Sequence, residues 1–160
     1  MKKMFLLFLV FSTLFSCAHI IQRQARFIND EYAPYRLPGT SVIHGQAFLR
    51  TRGGDVKFAA GRTISLNPVT SYSTEWFELG IMQGNILSSP DPRIKPFNKT
   101  TIADGMGIFE FTDLPAGEYY VATAIIWEIP SQWGMRSTGG TVGAKTKVGP
   151  GQKVKIILTR

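Results

Sequence analysis

The sequence predicts an all-β protein: a single seven-stranded β-sandwich with a short helix in an inserted loop, preceded by a signal peptide and a flexible tether. Three features of the stretch from Gly105 to Trp127 carry most of this prediction. From Ile108 to Thr112, Phe109 and Phe111 alternate with Glu110 and Thr112, the period of two expected of a half-buried strand. Leu114-Pro115-Ala116-Gly117 has turn chemistry, because Pro fixes one φ and Gly takes a positive φ at little cost. Tyr119 to Trp127 is rich in aromatic and β-branched residues and becomes apolar on both faces, as a central sandwich strand would be.

Taken from the beginning, the chain divides at about residues 16 and 40. Residues 1–16 carry Lys2 and Lys3, then an apolar run from Met4 to Phe15 that is too short to span a bilayer but suits a signal-peptide core. Leu14-Phe15-Ser16-Cys17 resembles a bacterial lipobox, with Cys17 as the residue acylated after cleavage; Phe15 is bulkier than usual at its position. An ordinary secretory signal would leave Cys17 incidental, but the one cysteine of the chain falling at this position favours lipidation. Several acyl chains on one residue anchor firmly. Ala18, rather than Asp, after the cysteine implies passage to the outer membrane in a cell with two membranes. Residues 17–40 have no sustained period and are punctuated by Pro34, Pro38 and Gly39, so they are expected to be a lipidated tether.

The domain is expected over residues 41–160. Ile43, Ala47 and Leu49 point one way on the first strand, and Arg52-Gly53-Gly54-Asp55 makes a turn. Val56–Ala60 and Arg62–Asn67 follow, with Ile64 and Leu66 facing inward. Residues 69–98 form an insertion in which Ser73 or Thr74 would cap a short helix carrying Glu75, Trp76, Leu79 and Met82, ended by Gly80 or Gly84. The segment after it holds three prolines and reads as loop. Lys99–Asp104 should be a strand ending in a turn at Asp104-Gly105. After Trp127, residues 128–140 read as a second long loop with Pro130, Trp133 and several glycines. Thr141–Val148 and Lys153–Arg160 complete the sheets, with Val154, Ile156 and Leu158 on the inner face of the last strand.

The run Gly107-x-Phe109-x-Phe111-x-x-Leu114-Pro115-x-Gly117-x-Tyr119-x-Val121 resembles the signature of carboxypeptidase regulatory-like domains. Gly45-x-Ala47 and Ala60-Gly61-x-x-Ile64-x-Leu66 resemble that family's opening strands, so the likeness covers about residues 42–68 and 99–160. It implies a transthyretin-like (prealbumin-like) sandwich. It also implies a role like that of known adaptor and scaffold modules, because carboxypeptidases with this domain keep their zinc and catalytic residues in another one.

Composition narrows the chemistry. The formal charge is +7, and without Lys2 and Lys3 there remain 16 basic against 11 acidic residues. The basic residues stand in small groups, Arg23/Arg26, Arg50/Arg52 and Lys145/Lys147/Lys153/Lys155, rather than in a dense stripe interleaved with aromatics, so no nucleic-acid partner is expected. A single cysteine excludes an internal disulfide and a cysteine-based zinc site. The two histidines, His19 and His44, begin no metal-ligand pair, and no GxSxG motif offers a serine nucleophile. Asp104 and Asp113 are more economically read as turn residues than as an acid pair. No catalytic residue, metal or cofactor is expected.

The aromatics are the remaining signal. Tyr72, Trp76 and Trp133 form the candidate binding surface, while Trp76 and Trp127 have a competing role as plugs of the sandwich's open end. The expected function is that of a non-enzymatic lipoprotein, held to the membrane through Cys17 and acting as a structural or protein-interaction module with an envelope protein partner. The alternative is a glycan-binding module, which requires Tyr72, Trp76 and Trp133 to form an exposed strip.

Overall fold

Two four-stranded sheets face each other across one apolar core. The computed structural model describes residues 20–160; the signal segment and Cys17 lie outside the described residues. In chain order the elements are β1 (Ile20–Ile21), α1 (Asn29–Tyr32), β2 (Ser41–Arg50), β3 (Val56–Phe58) and β4 (Thr63–Pro68). Next come α2 (Ser71–Glu75), a π-helical stretch Trp76–Met82 that continues it, β5 (Ile86–Leu87) and β6 (Lys99–Ile102). The chain closes with β7 (Ile108–Leu114), β8 (Gly117–Ser131), β9 (Gly134–Val148) and β10 (Lys153–Leu158).

In the first sheet β2 is central. β10 runs parallel to it from Lys153 opposite Val42 to Leu158 opposite Ala47. β7 pairs antiparallel with its first half and β3 with its end. Ala47 stands where these two partners meet, donating its N–H to the Gly107 carbonyl and accepting from the Ala59 N–H. The second sheet has the order β6–β4–β8–β9, all antiparallel. The two sheets thus hold eight strands, one more than the predicted seven, and β3 falls within the Val56–Ala60 segment read from the sequence.

The inward residues are those the alternation selects. Ile43, Ala47 and Leu49 of β2, Ile64 and Leu66 of β4, Phe109 and Phe111 of β7, and Val121 and Ile125 of β8 are buried together. Gly45 lies between Phe109 and Ile156 in register, and a β-carbon there would collide with the Phe109 ring. Glycine therefore lets the aromatic cross the sheet face.

Two segments differ from the sequence prediction. Residues 20–35 do not form a tether. β1 pairs in parallel with β5, and Phe27 stacks on Tyr32 with ring centroids 4.6 Å apart. Tyr32, Tyr72 and Ile94 form a second buried cluster with Phe27 and Phe97 against it. The Glu31 carboxylate accepts the Ser71 N–H at 2.6 Å and the Ser71 hydroxyl, which places a negative group at the positive end of α2. The N-terminal segment and residues 69–98 together roof the outer face of the second sheet, where Phe77 stacks on Tyr120 at 4.2 Å.

Residues 128–140 are not a loop either. β8 and β9 pair without a break from Gly117 opposite Val148 to Ser131 opposite Gly134. At about 3.4 Å per residue, each 15-residue strand spans roughly 50 Å. β4 accompanies β8 only from Tyr119 to Ala122, so the far half of the hairpin is a two-stranded arm. Its turn is closed by Ser131, whose hydroxyl donates to the Gly134 carbonyl at 2.6 Å and accepts the Trp133 N–H at 3.3 Å.

Candidate functional site

The predicted aromatic strip is not assembled. Tyr72 is 3% exposed, and its hydroxyl accepts the Asp91 N–H at 2.6 Å. Trp76 is half-buried one helical turn further on. Trp133 is 89% exposed, on a different element altogether, at the tip of the β8–β9 arm. The helix that carries Tyr72 and Trp76 is capped one turn earlier than predicted. Thr70 is the cap: its hydroxyl accepts the Ser73 N–H at 3.1 Å, and the Ser73 hydroxyl accepts the Thr70 N–H at 2.9 Å. This reciprocal pair turns Tyr72 inward.

The predicted turn acids have local partners. Asp104 Oδ1 accepts the N–H groups of Met106 and Ile108, both at 2.8 Å, which shapes the β6–β7 turn. Asp113 takes a positive φ of 56° and accepts a hydrogen bond from the Thr112 hydroxyl. His44 Nδ1 lies 3.6 Å from Glu110, which also binds Lys153 Nζ at 2.9 Å; the lysine, first, and the histidine hold the Glu110 carboxyl below its usual range. Among the described residues, no group of three or more His, Cys, Asp or Glu could hold a metal ion. No helix among them is long and apolar enough to cross a membrane.

Concave surface occurs at several places, two of which bear on the predicted aromatics. The larger is a groove of about 920 Å³ at one end of the sandwich, between the β2–β3 turn and the base of the arm. Trp127 of β8 lies in its wall, half-buried, with part of its ring packed on the core. Around it stand Arg50 and Arg52 from the β2–β3 side, Arg136 from β9, and Arg160 beyond β10. Among the described residues, none of these four guanidinium groups makes an ion pair. Lys57 is paired, at 4.0 Å, with Asp55, and Glu128 is the other acid of the groove. Arginines scattered along the sequence are thus gathered at one aromatic side chain by the long β8–β9 pairing and the parallel placement of β10.

The other is a small cavity of about 80 Å³ between the outer face of the second sheet and its roof, lined by Arg23, Asn67, Tyr72 and Trp76 among others. Here the structure does bring two of the three predicted aromatics together, Tyr72 and Trp76. Arg23 and Asn67 carry no aromatic or periodic signal, and of the groove residues the sequence groups only Arg50 with Arg52.

The fold and its surfaces therefore define a two-sheet β-sandwich with a roofed outer face, a projecting hairpin and an arginine-rich end groove. No family model matches the chain, and no curated protein matches it. Among solved structures it is similar to the crystal structure of PA1324 from Pseudomonas aeruginosa, described as a candidate carbohydrate-binding protein. The TM-score is 0.75 and the identity 26%, over 85% of this chain and 99% of that one. It is also similar to the major pilin subunit of Bacillus cereus, at a TM-score of 0.43 and 14% identity, over 76% of this chain and 30% of that chain.

Proposed function

We propose that the protein is a non-enzymatic carbohydrate-binding module of transthyretin-like architecture, and that its end groove takes an acidic glycan. The observation that carries this reading is the set of four guanidinium groups, without ion pairs among the described residues, around a half-buried tryptophan. A sugar ring has an apolar face that stacks on an indole, and Trp127 offers one with its other side held by the core. Carboxylates on such a glycan suit guanidinium forks, which bind both oxygens at once. The likeness to PA1324, which spans nearly all of that protein, supports the carbohydrate class.

This reading favours the glycan alternative over a protein-contact role. The latter rests on sequence features alone, and the exposed Trp133 and Met135 at the arm's tip name no partner. On the same proposal, acylation of Cys17 would hold the module at the bacterial outer membrane. The distance to the groove would then be set by the roofed domain, because residues 20–35 are docked rather than extended.

Electrophoresis through gels containing polygalacturonate or a neutral glucan tests the function. Retardation by polygalacturonate that is lost in Trp127→Ala and reduced in Arg136→Ala is the expected result. Equal retardation of all three proteins, or equal retention of the wild type on double-stranded DNA, would show plain charge attraction instead.

A further inference from the structure

The roof cavity carries a second site. Arg23 is held by Ser88 twice: its backbone N–H donates to Ser88 Oγ at 3.2 Å and its side-chain Nε–H to the Ser88 carbonyl at 3.0 Å. Its Cζ sits 5.0 Å from the centre of the Tyr72 ring. Nη1, however, is buried with no hydrogen-bond partner, and among the described residues Arg23 makes no ion pair. Across the same cavity Asn67 is 2% exposed, and its Oδ1 also has no partner. Three neighbouring polar side chains are already used. The Tyr72 hydroxyl binds Asp91, the Ser73 hydroxyl donates to the Pro68 carbonyl, and Glu75 accepts the N–H groups of Gln24 and Ala25.

A buried donor on a cation and a buried acceptor, each unsatisfied, are costly. Water would meet the hydrogen-bonding need, since about 10–15 Å³ holds one molecule and about 80 Å³ is available. It would not supply the counter-charge. We infer that this cavity binds a small hydroxy-carboxylate, the carboxylate on Arg23 and the hydroxyl donating to Asn67, with the Tyr72 and Trp76 rings as walls. The inference is independent of the end groove.

The protein has three tryptophans, so Trp127→Phe with Trp133→Phe leaves Trp76 as the single reporter and disables the groove at the same time. Its fluorescence is titrated with sodium glycolate, sodium acetate and sodium chloride at matched ionic strength. A saturable change with glycolate, weaker with acetate and absent with chloride, is expected. Arg23→Gln should weaken glycolate binding about tenfold or more, the loss of one charged hydrogen bond. Asn67→Asp should abolish binding while holding or raising the melting temperature, because it supplies the counter-charge from within. If Arg23→Gln disturbs the roof, Arg23→Lys keeps the charge without the fork and should still bind more weakly than the parent. A response equal with chloride, one unchanged in the Arg23 variants, or none at all overturns the inference.

Discussion

The Tyr32 hydroxyl accepts a hydrogen bond of 2.9 Å from Thr70 Oγ1, and both side chains are buried. Tyr32 ends α1, ahead of the sandwich, while Thr70 caps the inserted helix. One contact therefore ties the N-terminal segment to the insertion and makes them a single roof. Removing the ring by Tyr32→Ala should cost about 3–5 kcal/mol, as for other buried aromatics, and Tyr32→Phe about 1 kcal/mol. Urea denaturation of the two variants checks this. An N-terminal segment behaving as a free tether would leave both at wild-type stability.

The roof also depends on a missing side chain. An added β-carbon at Gly143 would lie 2.7 Å from Phe77 Cε2 and 2.9 Å from Ile81 Cγ2. Gly143→Val should push the π-helical stretch off β9 and destabilise the fold by about 1–3 kcal/mol. Hydrogen exchange should show the added opening in residues 76–82, with β2 and β7 unaffected.

Two pH limits follow from the side-chain environments. Burial raises the Tyr32 and Tyr119 hydroxyls above their ordinary value of 10.0, with Tyr35 adding to the shift at Tyr119. Their folded-state pKa values exceed the unfolded ones, so the stability they contribute is complete below about pH 10 and falls as pH rises further. At the acid end the Arg93 side chain, and then its N–H, hold the Asp91 carboxyl down to about 2. That contribution is present above 3.8 and is lost as pH falls toward 2. Asp91→Asn should flatten the acid limb of a stability profile and leave the alkaline limb in place.

The groove makes a prediction about salt. Exposed guanidinium groups attract a carboxylate through solvent, and screening shortens from about 10 Å at 0.1 M salt to about 3 Å at 1 M. Binding of an oligogalacturonate should therefore weaken steadily with salt in the wild type. Arg50→Ala or Arg136→Ala should lower affinity at low salt by up to about tenfold and flatten the dependence. Isothermal titration at several salt concentrations measures both.

What the sequence revealed follows the range of the interactions involved. β7 and β8 were legible because Phe109, Phe111 and Val121 alternate locally and the turn residues lie between them. Residues 20–35 were not, because Phe27, Tyr32 and Tyr35 stand singly among polar residues and prolines. Their partners, Tyr72, Phe97 and Tyr119, lie far along the chain. The hairpin arm was hidden for the opposite reason. Pro130 on β8 and Gly134 and Gly139 on β9 are locally turn-like, and the cross-strand pairing of residues 125–131 with residues 134–140 overrides them. The groove had no local signature, since Arg50, Arg136 and Arg160 meet only through sheet topology.

The central claim is that Trp127, and not the more exposed Trp133, is the sugar-stacking residue. The three indole N–H signals in a nitrogen–proton correlation spectrum report on it directly, with oligogalacturonate added to the otherwise unmodified protein. The account predicts that the Trp127 signal shifts progressively and saturates while those of Trp76 and Trp133 stay nearly fixed. A shift confined to Trp133, or no saturable shift at Trp127, would contradict it.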